Sequence, residues 1–351
     1  MVKNRYINAA VLFQTGQPLQ IVDDIIIPSP MHGQLLAKIN YAGVCQSQVM
    51  EVDGNRGKDQ YLPHMLGHEA VGEVVALGEG VSKFNQGDKI VIGWIKGHGI
   101  NASGFTYKSK SIGEINAGPV TTFSNYSIIS ENRAYHLPPN TPEHLGFLYG
   151  CALPTGAGLV FNELSIRPQS NIVIYGLGGI GLSALLACMS ISPRTLIAVD
   201  TQPEKLALAK QLGATQSINA KDPNIKEKIF NLTDNIGCDF AIEAAGTVET
   251  IERAFSLIKK NGGELIFASH PKAGEKIQLD PFDLIQGKKI RGSWGGASDP
   301  DRDIKLLDQL YAKGELPLEQ LIGKRYQLAD INLALDDIRH RKTTRASITI
   351  D

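Results

Sequence analysis

Cys45, His68 and Cys151 carry side chains that can hold a metal: two thiolates and an imidazole. They lie in the segments YAGVCQSQ, LPHMLGHEAVGEV and YGCALPTGAG. No short ligand spacing joins them, so spacing alone does not prove a site. A buried cysteine or a core histidine accounts for any one of them taken singly. Together, however, they would form a three-ligand zinc set with a fourth position left for chemistry, which is the pattern of catalytic rather than structural zinc.

A second constellation is Gly176-Leu177-Gly178-Gly179-Ile180-Gly181, directly after the strand-like NIVIY and opening a helix-length apolar segment. Gly176 permits a tight turn, and Gly178 lets a pyrophosphate approach the backbone at a helix N-terminus. Gly181 allows close helix–strand packing. The acid Asp200 ends the following strand, TLIAVD, where it can accept hydrogen bonds from ribose hydroxyls. Its charge would repel a 2′-phosphate, which favours NAD over NADP. Lys205, one helical turn further on, could reach the same ribose.

These residues need a frame of two kinds. The first ~150 residues read as β-rich, with QLLAKINYAG, GHEAVGEVVALG and DKIVIGW as short β-branched runs broken by Gly, Asp and Asn. From about Ser170 strands alternate with helix-length segments: NIVIY, TLIAVD and DFAIEAAG, with GGELIFAS closing the series. That alternation predicts an α/β doubly wound parallel sheet. After Trp294 come two helical stretches, IKLLDQLYAKGEL and DINLALDDIRHR, and a terminal strand, ASITI.

Bulk properties exclude several classes. The 351 residues suit two domains, and 35 Lys+Arg against 36 Asp+Glu argue against nucleic acid as a partner. Four cysteines are too few for a disulfide-stapled secreted chain, so a cytoplasmic location is expected. The opening MVKNRYINAAVLF has no signal-like apolar core. Ile172 to Ile191 is apolar enough to imitate a membrane span, but its glycines point to a buried strand, turn and helix.

The order GHEAVGEVVALGEGV, GDKI, GCALPTGAG and GLGGIG with its Asp resembles the zinc-containing alcohol dehydrogenases of the medium-chain dehydrogenase/reductase superfamily. The likeness covers essentially the whole chain and is greatest to bacterial members grouped with glutathione-dependent and general alcohol dehydrogenases. It implies a GroES-like catalytic domain over residues 1–152, a Rossmann domain over 153–294, and a return to the catalytic domain over 295–351. It implies one catalytic zinc on Cys45, His68 and Cys151, with Glu69 as an alternate ligand, and NAD as the cofactor. Ser47 then touches the reacting oxygen, Thr155 and Ile180 pack on the nicotinamide, and Arg345 binds the pyrophosphate. Trp94, His270 and Trp294 become substrate-pocket candidates.

The implied reaction moves a hydride between a small alcohol and NAD, in a homodimer or homotetramer. Polar Gln46, Gln48 and His270 hint at a polyol or sugar derivative. The rivals are a zinc-free enone or quinone reductase on the same fold and a non-catalytic dinucleotide-binding protein. Two departures stand out. The segment from Gly93 to Tyr126 has no cysteine for a structural zinc, offering only His98 and Glu114. Packing by Phe105, Tyr107, Phe123 and Tyr126 is expected to order it instead. Met50 occupies the place where many relatives carry a proton-passing histidine.

Overall fold

The computed structural model describes residues 6–350. The chain divides into two compact units, Met1–Cys151 with Asp299–Asp351, and Ala152–Ser298. The opening residues, on which the reading of no signal segment partly rests, lie outside the described residues.

In the first unit the strand Gln34–Val44 organises the sheet that carries the site. It pairs antiparallel with Ala70–Leu77 and Tyr126–Ser130. At its far end it pairs with the C-terminal strand Ala346–Thr349, in the register Ala346↔Val44. This register sets the last residues of the chain beside Cys45, three hundred residues away in sequence. The strand's inward side chains, among them Leu35, Ala37, Ile39 and Val44, are fully buried. Removing that apolar surface from water holds the register, since a one-residue slip would turn it outward.

The segment 93–126 is not a plain loop. Phe105–Ser109 and Gly113–Ala117 form an antiparallel hairpin within a closed barrel that also contains Tyr6–Leu12, Gln20–Ile26 and His64–Met65. Tyr107 and Phe123 are fully buried, and Phe105 packs edge-on against Tyr107 with ring centroids 4.9 Å apart. The two late helices are Pro300–Ala312 and Ile331–Arg339.

In the second unit six parallel strands lie in the order Gln216–Asn219, Thr195–Asp200, Asn171–Tyr175, Phe240–Glu243, Glu264–Phe267 and Lys289–Gly292. In chain order this is 3-2-1-4-5-6, the doubly wound dinucleotide-binding arrangement, whose ligand crevice opens where the order reverses. The chain therefore reverses beside Tyr175 and Glu243, directly above the glycine turn. GGELIFAS does not close the series: Lys289–Gly292 follows it, and Gln216–Asn219 adds the opposite edge. Both are short and polar, which left no apolar run to read.

Ile172–Ile191 resolves into the strand Asn171–Tyr175, the glycine turn and the 11-residue helix Gly179–Met189. Among the described residues no single helix is long and apolar enough to cross a membrane.

Candidate metal and cofactor sites

The metal candidates arrive from three places. Cys45 follows the strand Gln34–Val44 and is the N-cap of the helix Gln46–Val52. His68 and Glu69 immediately precede the strand Ala70–Leu77. Cys151 follows the turn Phe147–Gly150, and the backbone N–H of Trp94 donates to Gly150 O at 3.3 Å. Gly43 keeps these elements close: a Cβ there would lie 2.6 Å from the Phe147 ring and 2.7 Å from the Glu69 carboxyl.

One ligand atom each from Cys45, His68, Glu69 and Cys151 lies within 4.8 Å of the others. His68 Nε2 faces Cys151 Sγ at 3.3 Å, and Cys151 Sγ donates to Cys45 Sγ at 3.9 Å. That hydrogen bond from Cys151 holds the Cys45 thiol well below its ordinary pKa, overcoming the opposing effect of burial. Being the donor to Cys45, together with burial, pushes Cys151 well above it. A thiolate, an adjacent thiol and an imidazole with convergent lone pairs match the soft donor set that zinc takes. Glu69 adds Oε2, a buried carboxylate oxygen without a hydrogen-bond partner. The residues present therefore fit the ion.

Arg345 is 4% exposed and forms an ion pair with Glu69, beside the cysteine sulfurs. Burial alone would lower its pKa, but Glu69 and the two sulfurs outweigh that and keep it charged. The resemblance assigns this arginine to the pyrophosphate; its guanidinium is buried against Glu69. Its register next to the strand Ala346–Thr349 commits it to Glu69, leaving Nε buried without a partner. Ser47 Oγ is likewise buried and unpartnered.

Gln48 is not a pocket residue. Its Oε1 accepts the Cys45 backbone N–H at 2.9 Å, and its Nε2 contacts His68 Nδ1. His270 is exposed, with Nδ1 3.0 Å from Pro271 O, and Trp294 is 84% exposed. Of the polar trio Gln46, Gln48 and His270, only Gln48 has its amide committed to neighbours at the metal cluster, while Gln46 and His270 are exposed. Trp94 is half-buried.

In the second unit the turn after Tyr175 has the shape a pyrophosphate needs. Gly176 has φ +90°, and a Cβ there would strike Ala245 N at 2.6 Å. A Cβ on Gly181 would lie 1.8 Å from Gly176 O, so the helix Gly179–Met189 rests directly on the turn. At Gly178 a Cβ would meet nothing within 4 Å. That open face at a helix N-terminus is a cradle for an anion. Asp200 is 8% exposed, and its carboxylate accepts the N–H groups of Leu177 at 2.7 Å and Gln202 at 2.9 Å. It therefore braces the glycine turn as well as facing the ligand end of the sheet. Lys205 is half-buried in the helix Pro203–Gln211. Thr155 is buried in the helix Ala152–Gly158, which packs so closely that a Cβ on Gly156 would lie 2.3 Å from Ile180 O.

Two groupings were invisible in sequence. His98 meets Asp299 and Asp301, which lie beyond the cysteine-free segment, about two hundred residues further along the chain than His98 itself. Glu131, 1% exposed, accepts backbone N–H groups from Ser82, Lys83 and Ile100 at 2.8, 3.0 and 2.7 Å. It ties down the start of the cysteine-free segment.

Comparison with known proteins agrees with this geometry. Residues 31–139 match the alcohol dehydrogenase GroES-like domain family, and residues 179–312 match the zinc-binding dehydrogenase family. The S-(hydroxymethyl)glutathione dehydrogenase of Synechocystis is 31% identical across 97% of this chain and 98% of its own length. The structure of benzyl alcohol dehydrogenase from Acinetobacter calcoaceticus superposes with a TM-score of 0.87 at 31% identity, over 99% of this chain and 100% of that one. An alcohol dehydrogenase zinc-binding domain protein from Burkholderia ambifaria gives 0.90 at 29% identity, over 99% of both chains. The chain therefore belongs to the zinc-type medium-chain alcohol dehydrogenase family.

Proposed function

We propose that this oxidoreductase binds one catalytic zinc through Cys45, His68 and Cys151, with Glu69 as an alternate ligand, and uses NAD to oxidise a primary alcohol or reduce the matching aldehyde. The convergence of two thiols and an imidazole, from segments far apart in sequence, within 4.8 Å carries this reading. Zinc in such a site supplies Lewis acidity to a substrate oxygen. The nicotinamide supplies the hydride acceptor, and the protein supplies position and electrostatics.

The chain's own groups divide the remaining work. Ser47 Oγ, buried and without a partner, takes the hydroxyl proton and passes it toward the ribose. Gly178 leaves room for the pyrophosphate, and Asp200 favours ribose hydroxyls over a 2′-phosphate. Thr155 and Ile180 back the nicotinamide. Arg345 pairs with Glu69 and holds its carboxyl beside the ligands. The primary-alcohol class rests on the names of the relatives, which act on S-(hydroxymethyl)glutathione and benzyl alcohol. Gln48, one of three residues behind the polyol reading, is bound to His68 instead, which favours the primary-alcohol class.

A homo-oligomer is supported by the sheet edge Lys289–Gly292, next to the exposed Phe282, Leu284 and Ile285. Light scattering on the purified chain tests it.

The ligand assignment is tested by Cys45→Ser, His68→Ala and Cys151→Ser. Each should lose zinc and turnover yet keep NAD binding, because the glycine turn belongs to the other compact unit. A variant that retains full zinc and full rate defeats the assignment.

A further inference from the structure

The side chain behind His68 is an amide, and an amide cannot serve both of its neighbours here once a metal is bound. Gln48 is the third residue of the helix Gln46–Val52, and it reaches back to the N-cap. The Cys45 backbone N–H can only donate, so the atom facing it at 2.9 Å must be the amide oxygen. This fixes the amide. Its nitrogen, which can only donate, then points at His68 Nδ1, and Nδ1 must present a lone pair. A neutral His68 held this way carries its proton on Nε2, the atom that faces Cys151 Sγ at 3.3 Å.

A metal among these ligands needs the Nε2 lone pair, and the ring proton must then sit on Nδ1. Nδ1–H requires an acceptor, whereas Gln48 offers a donor. The amide must turn over, which sets its nitrogen against the Cys45 N–H, or one of the two N–H groups goes unserved. Either outcome leaves a poorly paired donor beside the metal cluster. Gln48 is 1% exposed, so water does not readily make up the loss.

The geometry points to Gln48 as a positioning residue that holds His68 in the tautomer unsuited to metal binding, so that zinc is bound more loosely and exchanged more readily than the three ligands alone would allow. This rests on the zinc reading above. A carboxylate in its place would accept both N–H groups at once, one on each oxygen. Ligand-supporting partners of this kind change metal affinity by about 10- to 100-fold.

The test is a zinc competition titration against a chelator of known affinity, on the full chain. Gln48→Glu should tighten zinc by about 10-fold or more. Gln46→Glu adds the same charge on the same helix at an exposed position, and should leave the affinity within about 2-fold of the original, a small energy. Equal tightening by both variants, or none by Gln48→Glu, overturns the proposal. A second readout does not depend on any variant folding. Nitrogen-15 NMR of zinc-free protein, at a pH where His68 is neutral, should show the proton on Nε2, moving to Nδ1 when zinc is added. A proton already on Nδ1 before zinc addition also overturns it. Cys45→Ser serves as the control for the underlying reading. If that variant keeps tight zinc, the ligand assignment has failed; if it loses zinc while Gln48→Glu changes nothing, only the role of Gln48 has failed.

Discussion

Alanine at Gly178 and alanine at Gly181 should separate cofactor binding from folding, although the two positions lie three residues apart in one turn. Gly178 has φ −81°, a value open to any residue, and an added Cβ would meet nothing within 4 Å. The folded chain loses nothing, while the unfolded chain loses glycine's freedom. Gly178→Ala should therefore leave stability unchanged or raise it by about 0.4–1 kcal/mol. The new methyl group does occupy the face on which a pyrophosphate would rest. Displacing the phosphates from the turn should weaken NAD by at least about 10-fold, which is roughly 1.4 kcal/mol. Gly181→Ala behaves differently, because its Cβ would lie 1.8 Å from Gly176 O, a backbone atom that cannot rotate away. The helix Gly179–Met189 must lift from the turn, at an overpacking cost of about 1–3 kcal/mol. In a unit of this size that lowers the melting temperature by roughly 2–12 °C. The assay is a paired measurement on each variant: thermal unfolding without ligand, and NAD affinity by calorimetry. A Gly178→Ala protein that binds NAD with unchanged affinity would refute the placement of the pyrophosphate.

Further outcomes follow from other residues. Glu131→Ala strands three backbone donors and should cost about 3 kcal/mol or more in urea unfolding, with the segment near Ile100 becoming sensitive to protease. Burial raises the Glu131 pKa, but those N–H groups and Lys83 outweigh it and bring it below the usual carboxylate value. Its contribution is therefore present above the unfolded carboxylate pKa and is lost as pH falls through the folded value. Glu131→Gln should accordingly flatten the acid limb of the stability profile. NAD should outperform NADP in kcat/KM, and Asp200→Asn should narrow the gap while keeping one acceptor for the Leu177 and Gln202 N–H groups; equal kcat/KM in the parent protein would sink this. Met50→His should add a group titrating near neutrality to the pH–rate profile of alcohol oxidation, and an unchanged profile would place residue 50 away from the proton path.

Much of this was legible in the sequence where local pattern and function coincide. GLGGIG after NIVIY could be read because the turn, the helix start and the phosphate cradle are all built by neighbouring residues. The zinc ligands were reached through family resemblance. Their convergence depends on the strand Ala346–Thr349 pairing with Gln34–Val44 and on close packing at Gly43, which no local signal reports. The same long-range register hid the burial of Arg345 against Glu69. Gln48 looked like a polar pocket residue because a side chain's direction depends on helix phase and on its partner, and His68 lies twenty residues away. The hairpin Phe105–Ser109 and Gly113–Ala117 was missed because its strands are short and mixed in polarity, and close only against the rest of the barrel. Glu131 was missed because its partners are backbone N–H groups from two distant loops.

The most direct test of the account is a zinc add-back titration. Chelator-stripped protein receives zinc in sub-stoichiometric steps, and NAD reduction with a primary alcohol is recorded alongside unfolding temperature at each step. Expected are no activity before zinc, a linear rise that breaks at about one zinc per chain, and a cysteine-free segment that stays folded throughout. Full activity in stripped protein, or a break at two zinc ions with the segment folding only at the second, would contradict it.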